Sequence, residues 1–425
     1  MSTAISSNAI SRSSPVNIDA LSGLRSTRAD RACVFGTMTH FMVYWEVAYW
    51  VKRNESKRMI RTVKELDEVC TRLRTEGVAS LDTEFVWRRT YRPTLALVQL
   101  GAIDGTSWVE DCLQGFNPTP LGDLLEDPRT VKILHDAHQD LEHLHNYTGA
   151  KPVNVFDTQL AAGFAGLPAG LSLQRLVAEI VGITLPKTET VTDWLQRPLT
   201  EAQIKYALDD VHYLGEVREA LIARADALGT RAWMEEEMKR YEEPSSYGDY
   251  ELDELWKRVK CGPIRLERRG FAILRELAAT REKWAREWNL PRGWLGEDGS
   301  LAEIAQNAPT EPKGIHLRHR LNNRAQRDRI IAYYVEAVRA GLAVPEDECP
   351  FNPHPHYLPE VLSAAEEALK FVRERAAEIH VDAAVITNRA TLTAWVDNPE
   401  DASNPLANGW RYETVGRLVA ERFQV

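Results

Sequence analysis

The spacing of apolar positions changes period along the chain, and each change marks an element. Between residues 60 and 76, Val63, Leu66, Val69, Cys70 and Leu73 recur at helical intervals, and Gly77 ends the run, predicting a helix. Residues 78–85 and 95–100 read as strands and residues 107–109 as a shorter third. The turns at Gly101 and Gly105 make an antiparallel succession in one sheet the expected arrangement. Residues 131–134 are a fourth strand, leading through a short loop into a helix opened by Asp140. A further helix covers residues 172–181. Thr200-Glu201-Ala202-Gln203 is a capping box, which starts a helix running through Tyr206, Asp210 and Leu214 toward Ala227.

The charged stretch 235–250, with Pro244, Ser245, Ser246 and Gly248, reads as a linker. Beyond it the pattern is helical: 252–259, 265–288, a short segment near Leu301, 324–340 and, after the Pro-rich break 345–359, residues 360–425. An α/β domain followed by all-α units is the expected architecture. The length of 425 residues suits about three such domains.

Composition narrows the class. With 44% hydrophobic and 27% charged residues, the chain is globular in type. Residues 1–58 carry a Ser- and Arg-bearing leader and then an apolar run, 38–51, that is too short to span a bilayer and contains His40 and Glu46. They are expected to form a disordered extension, with an organelle transit peptide as the alternative and Met59 opening the folded part. Five widely spaced cysteines without a C-x-x-C pair argue against a disulfide framework or a zinc ribbon and for a reducing compartment, expected to be the cytoplasm, and no membrane association is expected from so short an apolar run. The net charge of −10 neither advertises nor excludes a nucleic-acid partner.

Asp82 and Glu84 are two apart in a predicted strand and so project from the same face. Two adjacent, partly buried carboxylates repel unless a cation lies between them, and a hard divalent ion such as Mg²⁺ or Mn²⁺ takes such ligands. Alone, the pair is weak evidence, since most such pairs at a strand are solvated edge charges. Asp140 at its helix start reads also as a macrodipole partner. Tyr206 and Asp210, four apart, share a helical face, although each alone reads as a core aromatic and an exposed charge. The histidines between His135 and His145 lack a zinc spacing. Arg320, Arg324 and Arg327 are placed on one helical face, as a solvated face or a phosphate-contacting patch.

Together these residues resemble the DEDD exonucleases, in the tyrosine-bearing branch that includes ribonuclease D. Asp82-Thr83-Glu84-Phe85 with Arg89-Thr90-Tyr91 and Pro93 matches the first motif, and His135 to Glu142 the second, its acid falling on Asp140. Tyr206-Ala207-Leu208-Asp209-Asp210 matches the third, Y-x₃-D. Asp157-Thr158-Gln159, Thr192-Asp193-Trp194 and Arg197-Pro198-Leu199 are also similar to ribonuclease D. The helical remainder resembles helicase-and-RNase-D C-terminal (HRDC) domains.

The resemblance implies a ribonuclease H-like mixed-sheet exonuclease domain at 59–235, an HRDC domain at 247–342 and a second HRDC-like unit at 357–425. It implies two Mg²⁺ or Mn²⁺ ions held by Asp82, Glu84, Asp140 and Asp210, with Tyr206 orienting the attacking water. The implied reaction is 3′-to-5′ hydrolysis of RNA to nucleoside 5′-monophosphates, in tRNA 3′-end processing and without an obligate protein partner. Phe85, Arg89 and Lys187 are candidates for RNA contact, because single strands are held by stacking and by cations. The competing readings are a DNA-directed exonuclease and an inactive RNA-binding module.

Overall fold

The computed structural model describes residues 58–186, 192–248, 251–353 and 356–423, which belong to one compact unit, Arg58–Val425. The expectation for the extension therefore lies, up to residue 57, outside the described residues, as does Lys187. No helix among the described residues is long and apolar enough to cross a membrane.

Six strands form one mixed sheet: β1 (Met59–Ile60), β2 (Val78–Val86), β3 (Thr94–Gly101), β4 (Ser107–Asp111), β5 (Val131–Leu134) and β6 (Val155–Asp157), ordered β1-β4-β3-β2-β5-β6. β2, β3 and β4 are successive antiparallel neighbours, as their short turns require, while β1, β5 and β6 pair in parallel. The central strand β2 lies between β3 and β5, which puts its residues in the middle of the sheet.

The helices of this part are α1 (Val63–Glu76), α2 (Thr119–Glu126), α3 (His138–Thr148), α4 (Thr158–Phe164), α5 (Leu173–Ile180), α6 (Glu201–His212), α7 (Leu214–Leu228) and α8 (Arg231–Met238). Thr62 caps α1 by accepting the Glu65 amide at 3.1 Å, and Gly77 ends it in the left-handed region, where the missing Cβ removes the steric cost. The single helix expected from 200 toward 227 is instead two. α6 ends at Tyr213, and α7 follows from it with a buried face of Leu214, Val217, Leu221 and Ala225.

The presumed linker 235–250 is also structured over its described residues, 235–248. α8 buries Met234, Glu237 and Met238, and Tyr241 and Tyr247 join the same apolar core as the sheet. Its described charges other than Glu237 are exposed, and the Tyr241 hydroxyl donates to Asp157.

Two further helical groups follow. The first comprises α9 (Arg268–Glu287), α10 (Arg292–Leu295), α11 (Asp298–Asn307) and α12 (Arg324–Ala343), with a core of its own around Leu274, Leu277, Ile330 and Tyr334. Arg320 precedes α12 and lies in the loop before it, so it does not share a helical face with Arg324 and Arg327; Asn323 caps the helix by accepting the Gln326 amide at 3.2 Å. The second group, α13 (Pro359–Glu378), α14 (Ala383–Ile386), α15 (Arg389–Asp397) and the segments Gly409–Arg411 and Arg417–Phe423, merges its core with that of the sheet domain. Trp410 stacks on Trp233 at 5.4 Å and donates its indole N–H to Glu237 at 3.0 Å.

Candidate active site

The alternation of β2 sets Asp82 and Glu84 on one face, and α6 brings Asp210 to them from a distant part of the chain. One carboxylate oxygen from each of the three lies within 4.8 Å of the others. Local sequence explains the placement of α6. Its capping box closes reciprocally, with the Gln203 amide donating to Thr200 Oγ1 at 3.1 Å and the Thr200 amide to Gln203 Oε1 at 2.9 Å. Gly101 then lets the helix lie close to β3, since a Cβ there would come within 2.9 Å of the Val211 carbonyl oxygen. The β2–β3 register shifts between Glu84 and Phe85, leaving Ala96 as the extra residue beside the acids.

Asp140, in the first turn of α3, stands outside the three-residue cluster but beside it. Its carboxylate accepts the hydroxyl of Thr83, the residue between Asp82 and Glu84. Burial pushes the Asp140 carboxyl well above the usual range, and the charge of Asp82 pushes it further. Asp82 is raised in the same way, by burial and then by Asp210. Burial, Asp82, Asp210 and Asp140 raise Glu84 to about 10. Asp210 is raised to about 7 by burial and by Asp209, although a hydrogen bond from Tyr206 opposes the rise.

Among the described residues, no lysine or arginine counters these charges. Three clustered hard oxygen donors with Asp140 beside them fit a divalent metal ion, whose charge would relieve their repulsion. Tyr206 shares the site. Burial, and then the charges of Asp210, Glu84 and Asp82, push its phenol above the ordinary value, so it holds its proton and donates.

The other predicted residues scatter. Phe85 is half-buried and meets His143 of α3 edge-on at 4.0 Å, so it supports the strand–helix join. Arg89 is exposed, with φ of 54°, in the loop after β2. Arg324 and Arg327 lie on the solvent-facing side of α12, where they pair with Asp328 at 3.6 and 3.9 Å, and neither belongs to the acid cluster. Two residues lie in stretches that the motifs include, but their roles do not follow from the motifs. Thr83 acts through its hydroxyl on Asp140, a contact that strand alternation, turning it from Asp82 and Glu84, does not suggest. Asp157 accepts the amides of Asp136 and Ala137, each at 3.1 Å, and so fixes the turn that delivers α3.

Residues 57–225 match a family model described as a 3′–5′ exonuclease. The chain is 41% identical over 259 residues to ribonuclease D of Desulfotalea psychrophila, covering 61% of this chain and 69% of that protein. It is 36% identical over 377 residues to ribonuclease D of Pseudomonas paraeruginosa, covering 85% and 96%.

The chain belongs to the ribonuclease D family. Its class is accordingly that of a 3′–5′ exoribonuclease, a hydrolase of phosphodiester bonds. The crystal structure of Escherichia coli RNase D, an exoribonuclease involved in structured RNA processing, superposes with a TM-score of 0.74 at 28% identity. That likeness covers 85% of this chain and 97% of the other, so the ribonuclease D architecture extends through both helical groups.

Proposed function

We propose that Asp82, Glu84, Asp140 and Asp210 are the catalytic carboxylates of this exoribonuclease, and that it removes nucleoside 5′-monophosphates singly from RNA 3′ ends. The observation that carries the reading is the meeting of Asp82, Glu84 and Asp210 within 4.8 Å, with no lysine or arginine among the described residues to counter their charge. The four acids would hold two Mg²⁺ or Mn²⁺ ions, whose charge offsets the negative charge that grows on the phosphodiester as it is hydrolysed.

The chain's own groups have distinct tasks. Thr83 holds the Asp140 carboxylate by donating its hydroxyl, so the acid keeps one orientation. Tyr206 stays protonated and orients the attacking water by a hydrogen bond; a phenol raised above its ordinary value is unsuited to removing a proton near neutral pH. Burial of the acids excludes bulk water and strengthens every charge interaction among them.

The helical groups at 247–342 and 357–425 are HRDC-like auxiliary RNA binders in this reading, acting in the cytoplasm on precursors such as tRNA 3′ ends. The test is nucleotide release from a 5′-labelled single-stranded RNA and its DNA counterpart, with Mg²⁺, with EDTA, and with Asp82→Ala and Asp140→Ala. A descending RNA ladder only with metal and both acids supports the assignment. Wild-type turnover by Asp140→Ala would remove that residue from the site.

A further inference from the structure

The chain carries a net charge of −10, yet residues 255–266 contain Lys257, Arg258, Lys260 and Arg265 and no acid. The local fold turns this stretch outward. Trp256 and Val259 are buried in the core of the first helical group, which fixes the short turn Leu255–Arg258 and leaves Lys257, Arg258, Lys260 and Arg265 exposed. These four cations, with His356 opposite and Glu267 as the one acid, line a cavity of about 880 Å³.

Arg258 also lines a second cavity, of about 610 Å³. Its wall includes Trp87, three residues after Glu84, and His138 and Glu142, which bracket Asp140 on α3. The indole of Trp87 is 62% exposed, an uncommon condition for so large an apolar group. At the far side, Phe351 is 73% exposed, adjoins the wall residue Asn352 in the chain, and has the Arg268 guanidinium 4.2 Å from its ring centre. Exposed aromatic rings together with clustered cations are what proteins use to hold a single-stranded nucleic acid, the rings for bases and the cations for phosphates.

The first cavity also holds Glu282, Glu297 and Asp298 with Arg281 and Arg292, and Lys257 is paired with Glu254, so Arg258, Lys260 and Arg265 are the main cations along the path. We infer that the RNA strand on the 5′ side of the scissile nucleotide passes Trp87, turns at Arg258 and lies across the basic cavity of Lys257, Lys260 and Arg265. This inference rests on the proposed function, because it takes the carboxylates as the place where the 3′ end is held. Short substrates fill the first cavity only. Longer ones reach the second, so the cations there favour long RNA.

The experiment uses the full chain carrying Lys257→Glu, Lys260→Glu and Arg265→Glu, leaving Trp256 and Val259 to hold the turn. Affinity is read by fluorescence anisotropy in EDTA over a series of salt concentrations, and nucleotide release with Mg²⁺ is read on a tetranucleotide and on a roughly 24-nucleotide RNA. The expected loss grows with length, at least about tenfold in affinity for the long RNA, and the slope of log affinity against log salt becomes shallower by about 2, as for three lost phosphate contacts. Unchanged affinity and slope for the long RNA overturn the track. An equal loss on both lengths overturns it too, because it places the three cations at the scissile end. Should the variant melt earlier than wild type, the Gln triple substitution at the same positions is read by the same criteria. Failure of the wild-type protein to release nucleotides from either RNA sinks the proposed function itself, whereas wild-type turnover with an unaffected variant sinks only the track.

Discussion

Asp82 and Glu84 illustrate what one residue type at one spacing can carry. Their common face follows from strand alternation alone, and their raised proton affinity follows from burial and from the company of other acids. The sign of the pH effect is then fixed. An acid whose folded pKa is raised binds its proton more tightly in the native state, so stability falls as pH climbs from the ordinary carboxylate value, about 4, toward the folded value. With Asp210 at about 7 and Glu84 at about 10, the metal-free protein should melt at a higher temperature at pH 6 than at pH 8. Added Mg²⁺ should raise the melting temperature most at pH 8, and Asp82→Asn should flatten both trends. Thermal melts in EDTA and in Mg²⁺ across that range decide it, and an unchanged slope in Asp82→Asn would sink the like-charge account. Tyr206→Phe removes only a donor, so kcat should fall by about 10²-fold while the pH–rate profile keeps its shape. A profile that loses its alkaline limb would instead make the phenol the titrating group. Asp210 is legible beside Tyr206 as a helical pair, but its meeting with Asp82 comes from the way α6 crosses the sheet, which spacing alone does not contain.

The elements are legible in the sequence where one period dominates and obscure where packing decides. The helix α1 follows its apolar period because it buries one clear face, and β2 and β3 read as apolar runs because residues 79–81 and 96–101 are buried on both faces of the sheet. The division at Tyr213 is different: residues 201–228 have helical propensity throughout, and the break arises because α6 must lie on the sheet while α7 buries Leu214, Val217 and Leu221. The stretch around 241–247 reads as a linker because charge and Pro outnumber apolar residues, yet two tyrosines suffice to pin it. Gly101 is the point at which an element's position becomes catalytic. A Cβ there would meet the Val211 carbonyl oxygen at 2.9 Å and Ser80 Cβ at 3.0 Å, so Gly101→Ala must displace α6 or β3. Because Asp210 immediately precedes Val211, the variant should lose turnover by about 10²-fold, the cost of roughly an ångström of misplacement, with a smaller loss of stability. The check is kcat beside the melting temperature; full activity would show that the helix has room to spare.

At the scale of the whole molecule, the loop after β2 is fastened to the first helical group by one buried acid. Glu282, on α9, accepts hydrogen bonds from the Tyr91 hydroxyl, from Arg286 at 2.9 Å and from Arg292 at 2.9 Å, while the Tyr91 amide donates to Asn289 at 3.1 Å. Tyr91 belongs to the exonuclease motif stretch, so the residues that carry the first acids and those that carry the helical group share a single joint. Burial alone would raise the Glu282 carboxyl, but the hydrogen bonds of Arg292 and Tyr91, with the Arg292 charge and Arg286 behind them, outweigh it and hold the group down to about 2. A depressed folded value means that the contribution is fully present above the ordinary value of about 4.3 and is lost as pH falls through about 2. A tenfold change in proton affinity is worth about 1.4 kcal/mol, and both arginines are partly open to screening solvent, so the stabilisation at neutral pH is on the order of 2 kcal/mol. Glu282→Gln should therefore lower the urea midpoint at pH 7, and the gap to wild type should close as the pH approaches 2. The loosened joint should also free the loop that carries Arg88 and Arg89, slowing release from long RNA more than from a dinucleotide. Urea unfolding followed by tryptophan fluorescence across that pH range measures the first effect, and a gap that stays constant with pH would mean that Glu282 acts through packing and not through its charge.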